Sequence, residues 1–212
     1  MADPKYRAKF KVDLLVATNG NDQSGNGSRQ RPFATIQRAI TAARTGQVIG
    51  VLPGIYKGAG NRDINLNGKG VVIRSLAGPH HTTLDCDRHR ILQAVNNEPV
   101  GTKLIGFTIR NGFIQFRGDW ATDGLIRIRN ASLEIACCVF EGNEGRSTFL
   151  TSHIALISAA SDREGIIGDD NQKHQVAIRY CLIAKNKIGG GGNHGFHGHG
   201  GGFIIYNRDH GW

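Results

Sequence analysis

Three histidines, His194, His197 and His199, fall within six residues of a glycine-rich run over residues 189–202. Neutral imidazoles at that spacing are candidate ligands for Zn²⁺, Ni²⁺ or Cu²⁺. Ordering a glycine-rich loop costs backbone entropy, and no Cys or carboxylate beside it completes a tight site. A long turn with glycines at left-handed positions is the plainer expectation. The Asn, Asp, Gly and Ser cluster over residues 18–28 lacks the alternating acids and closing Glu of a calcium loop, so it reads as a turn. Cys86, Cys137, Cys138 and Cys181 include no Cys-x-x-Cys pair, which argues against a zinc ribbon or a thioredoxin-type site. They read as small buried residues, with room for one disulfide if the chain is exported. Arg127, Arg129 and Arg179 offer a basic groove for an acidic ligand, against the plainer reading of solvated outward arginines. Tyr206 and Trp212 add aromatic surface near the end of the chain.

Composition bounds what these residues belong to. The 212 residues allow one large domain, and thirty glycines with only 20% charged residues favour tight turns over long helices. A formal charge of +9 and a pI near 9.7 give a surface that attracts polyanions, whether acidic polysaccharide, nucleic acid or an acidic partner. No aromatic stacking series or nucleic-acid motif accompanies the charge, so nucleic acid is the weaker expectation. No apolar run reaches the roughly 18 residues of a membrane span. Residues 1–13 form a basic leader without the apolar core of a secretory signal.

The elements that must position these side chains begin in residues 31–56, RPFATIQRAITAARTGQVIGVLPGIY. Pro32 suits a first helical position, and Phe33, Ile36, Ile40 and Ala43 recur at helical steps, which predicts an amphipathic helix over residues 33–45. Gly46 ends it, and Val48–Leu52 follows as a short buried strand bounded by Pro53-Gly54. Short strands separated by turns then fill the chain, the pattern of an all-β array. Three segments repeat: residues 104–112, 133–143 and 176–186. Aligning Leu104, Ile135 and Ile178 also superposes Phe107, Cys138 and Cys181, and Ile109, Phe140 and Ile183, at intervals of 31 and 43 residues. Recurrence at such intervals marks a solenoid whose coils bury their apolar faces on one another. In the same frame Asn143 stands over Asn186, with Asn111 one place off. An Asn at a coil corner tolerates a left-handed backbone and bonds its copy on the next coil.

Taken together, residues 17–25 (ATNGNDQSG), the segment 31–40 (RPFATIQRAI), Leu52-Pro53-Gly54-Ile55-Tyr56 and the repeat resemble right-handed parallel β-helix proteins of the pectin-lyase-like superfamily. The resemblance implies an all-β right-handed parallel β-helix solenoid with a short N-terminal capping helix. It also suggests an extracellular or cell-surface setting. Polygalacturonase-type hydrolases of this fold carry Asn-Thr-Asp, Asp-Asp and Gly-His-Gly. Here Thr122-Asp123-Gly124, Gly168-Asp169-Asp170 and Gly198-His199-Gly200 follow in that order, with Ala121 in place of the Asn. By that resemblance Asp123, Asp169 and Asp170 would protonate the leaving oxygen and activate water for inversion, and His199 would orient the acid. The gaps between them, 46 and 29 residues, are unequal. A lyase would instead need clustered acids for Ca²⁺ and an Arg or Lys base, and no acidic ladder across coils is legible.

The expected organisation is a basic leader over 1–13 and one β-helix domain over 14–212. Within it lie a cap (14–58), coils (59–188), and a Gly/His-rich turn with a last partial coil (189–212). About four to six coils are expected. The function these features imply is a non-catalytic structural or binding module for acidic or surface polysaccharide, or a subunit of a larger assembly. It would need no cofactor. The alternative is a polysaccharide lyase or inverting hydrolase, with Ca²⁺ if a lyase. Phe203–Tyr206 is expected to open a further coil and to leave an uncapped edge where another protein chain docks.

Overall fold

A strand of two to eight residues is too short to bury an apolar face alone, so each side of this chain stacks on its copy one turn later. The computed structural model describes residues 11–116, 122–147, 153–160, 174–190 and 203–206. After β1 (Leu14–Val16) and the helix α1 (Ile36–Ala42), the first coil consists of β2 (Val48–Val51), β3 (Gly54–Lys57) and β4 (Ile64–Asn65). The second is β5 (Val72–Ser75), β6 (Thr82–Asp85) and β7 (Leu92–Ala94). The third is β8 (Lys103–Ile105), β9 (Thr108–Arg110), β10 (Phe113–Phe116) and β11 (Thr122–Arg129). The fourth is β12 (Leu133–Ala136), β13 (Val139–Glu141), β14 (Glu144–Ser147) and β15 (His153–Ala160). The fifth is β16 (Val176–Arg179), β17 (Leu182–Ala184), β18 (Lys187–Gly190) and β19 (Phe203–Tyr206).

Their pairing makes four sheets. Sheet A runs β1-β2-β5-β8-β12-β16, sheet B β3-β6-β9-β13-β17, sheet C β4-β7-β11-β15-β19, and sheet D β10-β14-β18. All the pairings are parallel, with strands of successive coils as neighbours. Among the described residues this is a parallel β-helix of five coils.

The repeat sets the register. Ile135 pairs with Leu104 and Ile178, and Phe140 with Ile109 and Ile183, at separations of 31 and then 43 residues. Phe140, Cys138 and Ile135 are wholly buried, while Ile183 and Cys181 on the fifth coil are half-buried. Each repeat reads in sequence as one strand. It is two, because the backbone turns left-handed at Gly106 (φ 81°), Cys137 (φ 55°) and Tyr180 (φ 54°) and passes from sheet A to sheet B. A second corner repeats at Asn111 (φ 55°), Gly142 (φ 64°) and Lys185 (φ 55°). The left-handed role and the ladder role therefore fall on different residues. Asn111 turns the corner, whereas Asn143 and Asn186 follow their corner and bond through Asn143 Nδ2 to Asn186 Oδ1 at 2.9 Å. Gly112 holds the ladder position on the third coil because a Cβ there would lie 2.8 Å from both Asn143 Oδ1 and Leu125 Cδ2.

The cap corrects the expected helix start. Phe33 is held extended by β1, donating to Leu15 O and accepting from the Ala17 N–H, so α1 begins three residues later at Ile36 with Thr35 as its N-cap. Asp22 fixes the entry: one oxygen accepts from the Ala34 and Thr35 N–H groups at 2.7 and 3.0 Å, the other from the Thr35 hydroxyl at 2.7 Å. Phe33, Ile36, Ile40 and Ala43 are buried as predicted. Lys69 closes the other end, its ammonium donating to Ile40 O, Thr41 O and Ala43 O at 2.8–2.9 Å. At the far end of the stack, β19 pairs with β15 in sheet C. It is thus the closing side of the fifth coil and does not open a sixth.

Candidate functional site

Alternation along the sheet C strands sorts side chains to core or surface. Leu92 and Ala94 of β7 and Ile126 and Ile128 of β11 are buried, so Gln93, Arg127 and Arg129 face outward. Register places Arg127 against Gln93, and Gln93 against Asn65 of β4, in one row across three coils. Neighbouring rows of a parallel sheet are about 4.8 Å apart. Arg129 stands two residues further on, opposite Ala160, which pairs with Tyr206. Val95, Arg127, Arg129 and Asn130 line a depression of about 390 Å³.

This face is held firmly at its N-terminal end. Gln37 of α1 clamps the Asn65 backbone, its amide nitrogen donating to Asn65 O at 3.0 Å and its oxygen accepting from the N–H at 2.8 Å. The loops after β4 and β7 are tied by Glu98, a wholly buried carboxylate that accepts from the Gly68 and Asn96 N–H groups at 3.0 and 2.9 Å. Asn96 in turn donates to Asn65 Oδ1 at 3.0 Å. Amides that donate and accept, beside a guanidinium that presents a fork of donors, suit hydroxyl and carboxylate groups of a sugar chain.

A second groove crosses the corner between sheets B and D, lined by Lys57, Asp85, Asp87, Arg88, Asn111, Gly112, Gly142 and Glu144. Its acids come from the second coil (Asp85 and Asp87) and the fourth (Glu144). Each is matched by a base: Asp87 by Lys57 at 3.2 Å, Asp85 by Arg110 at 3.4 Å, and Glu144 by Arg88 and Arg146 at 3.8 and 3.7 Å. Arg88 also covers the Phe113 ring at 4.2 Å. Beside the groove, His89 Nδ1 lies 2.9 Å from Asp63 Oδ2. Asp87 and Arg88 are consecutive left-handed residues (φ 48° and 60°), a conformation that costs non-glycine residues energy and is enriched at functional sites. The signal missed in the sequence is a column on sheet B in which Asp85, Arg110 and Glu141 alternate in charge.

The residues singled out from sequence divide between these surfaces. Arg127, Arg129 and the backbone position of Tyr206 share sheet C. Arg179 does not join them: it lies on β16 of sheet A, its guanidinium 3.6 Å from Glu134, which also takes Lys103 at 2.6 Å. Asp123 is on β11, paired with Ile154. Asp169, Asp170, His194, His197, His199 and Trp212 lie outside the described residues. Among the described residues no three His, Cys, Asp or Glu side chains form a metal-binding group. No helix among them is long and apolar enough to cross a membrane. Tyr180 and Leu182 on the fifth coil are each 59% exposed.

Fold and surface thus define a parallel β-helix with a basic, amide-lined flank. The chain belongs to the family described as "Protein of unknown function (DUF1565)", whose model matches residues 18–197. A solved structure of a rhamnogalacturonan lyase is similar to it, at 12% identity and a TM-score of 0.46, over 84% of this chain and 54% of that one. The chain therefore spans about half the length of that enzyme. No curated protein matches the sequence.

Proposed function

We propose that this β-helix is a non-catalytic module that binds acidic polysaccharide along the outer face of sheet C. The observation that carries the reading is the row of Asn65, Gln93 and Arg127 on three successive coils, next to the depression beside Arg127. A glycan lying along the helix axis would meet a polar group at each coil. The overall charge of +9 would draw an anionic chain toward it. Titration calorimetry with polygalacturonate tests this. Binding should weaken as salt rises, and a neutral polymer should not bind. A charge-assisted hydrogen bond contributes about 1.5–3 kcal/mol, so Arg127→Ala should weaken binding roughly 10- to 150-fold. Arg179→Ala, on another sheet, should leave it within about twofold. Equal losses in both variants would reduce the interaction to net charge and remove the face.

Polysaccharide cleavage is the second reading. The acids and bases that converge around Asp85 and Glu144, next to two strained residues, favour it. Release of reducing ends or unsaturated products from polygalacturonate, lost in Asp85→Asn or Asp169→Asn, would replace the binding module with an enzyme.

A further inference from the structure

Cys138 and Cys181 occupy equivalent places on the fourth and fifth coils, one residue before β13 and β17, whose ladder pairs Val139 with Leu182. The Leu182 N–H donates to Cys138 O at 2.9 Å. The two residues are therefore neighbours across a parallel ladder, about 4.8 Å apart, a Cα separation that a disulfide spans. Their thiols make the same contacts one coil apart. Cys138 Sγ reaches Ala136 O at 3.3 Å and Leu104 O at 3.8 Å, and Cys181 Sγ reaches Arg179 O at 3.4 Å and Ile135 O at 3.7 Å. Cys138 is 1% exposed, Cys181 is half-buried, and both are free. Cys137 packs elsewhere, against Ile105 and Ala136.

We propose that Cys138 and Cys181 are an oxidation site for hydroperoxides, with Cys181 as the attacking thiolate and Cys138 as the thiol that resolves it into a disulfide. The neighbouring Cys138 thiol lowers the half-buried Cys181 thiol below an ordinary cysteine, and full burial pushes the Cys138 thiol up. This raises the thiolate fraction of Cys181 over that of an ordinary cysteine. The lower intrinsic nucleophilicity of a weaker base offsets part of that gain. Cys181 sulfur attacks the terminal peroxide oxygen, the O–O bond breaks, and the departing oxygen takes a proton to leave as water from hydrogen peroxide. The resulting sulfenic acid is attacked by Cys138 sulfur. The S–O bond breaks, and hydroxide leaves with the Cys138 proton as a second water. The balance is two thiols and one peroxide to one disulfide and two waters, and the product ties the fourth coil to the fifth.

The test treats the whole chain with hydrogen peroxide, alkylates the remaining thiols and maps peptides without reduction. The expected product is a Cys138–Cys181 disulfide, with Cys86 and Cys137 recovered as alkylated thiols. Cys138→Ala should stop Cys181 at a sulfenic acid that dimedone traps, and Cys181→Ser should leave Cys138 reduced. Oxidation that begins at Cys137, or that takes Cys181 to sulfinic acid with Cys138 present, would overturn the proposal. A measurement that needs no variant is the pH dependence of alkylation by iodoacetamide. Cys181 should react first, with a midpoint below that of an ordinary cysteine, whereas a midpoint at or above the ordinary value of about 8.5 would overturn the pair.

Discussion

Truncating Asn143 should show that the asparagine ladder is scaffold. Asn143 is wholly buried. Its Oδ1 accepts from the Gly112 N–H at 2.8 Å, and its Nδ2 donates to Ile109 O at 3.0 Å and Asn186 Oδ1 at 2.9 Å. In Asn143→Ala the Gly112 N–H and the Ile109 carbonyl lose these bonds inside the stack, at about 1–3 kcal/mol each. Asn186 Oδ1 keeps the Asn143 backbone N–H at 3.0 Å, so its loss is smaller. The expected destabilisation is about 3–5 kcal/mol. Asn186→Ala should cost about 2 kcal/mol, because Asn186 is only half-buried and its Nδ2 serves one carbonyl, Phe140 O at 2.8 Å. Urea unfolding followed by circular dichroism would measure both, with an unchanged slope expected. The double variant should cost less than the sum, since the two amides share a bond. A loss below about 1 kcal/mol for Asn143→Ala, or a fall in polygalacturonate affinity with stability intact, would refute the reasoning and make the asparagine a ligand.

Phe140→Ala should cost about 3–5 kcal/mol in the same assay, since the ring is wholly buried between Ile109 and Ile183 and leaves a cavity; an unmoved transition would break the register. Lys185→Gly should stabilise by about 1 kcal/mol, because Lys185 is exposed at a left-handed corner (φ 55°) where the fourth coil carries Gly142; no gain would mean that the corner is unstrained. Burial pushes the Tyr56 hydroxyl up to about 12. The unfolded chain therefore loses that proton first, so stability should be full below pH 10 and fall by about 2 kcal/mol between pH 10 and 12. Tyr56→Phe, which gives up the 2.8 Å bond to Leu52 O, should flatten this decline, and an unchanged alkaline slope would rule the group out.

The stack was legible because apolar spacing and coil register are the same constraint: Leu104, Ile135 and Ile178 repeat in sequence because they must touch in space. The corners were less so. Gly106 announces a left-handed turn, but its successors Cys137 and Tyr180 do not, since the packing around them, and not their type, holds that conformation. The start of α1 was misplaced for a similar reason. Pro32 and Phe33 are compatible with a helix, yet bonds to Leu15 and Ala17 pull Phe33 into an extended bridge with Val16. On the surface, Arg127, Arg129 and Arg179 look alike in sequence. Which sheet each occupies depends on the corners, and this separates Arg179, beside Glu134, from the other two. The acids around Asp85 were missed because their meeting depends on turns whose path the apolar pattern does not specify.

The central claim is that the Arg127 side chain faces the glycan. Arginine Nε–Hε cross-peaks, assigned with an Arg127→Lys variant, would follow a titration with oligogalacturonate most directly. The account predicts a saturable shift of the Arg127 signal, with Arg179 and Arg110 unmoved. Shifts confined to Arg88 and Arg110, in the groove between sheets B and D, would contradict it, and so would no saturable shift at all.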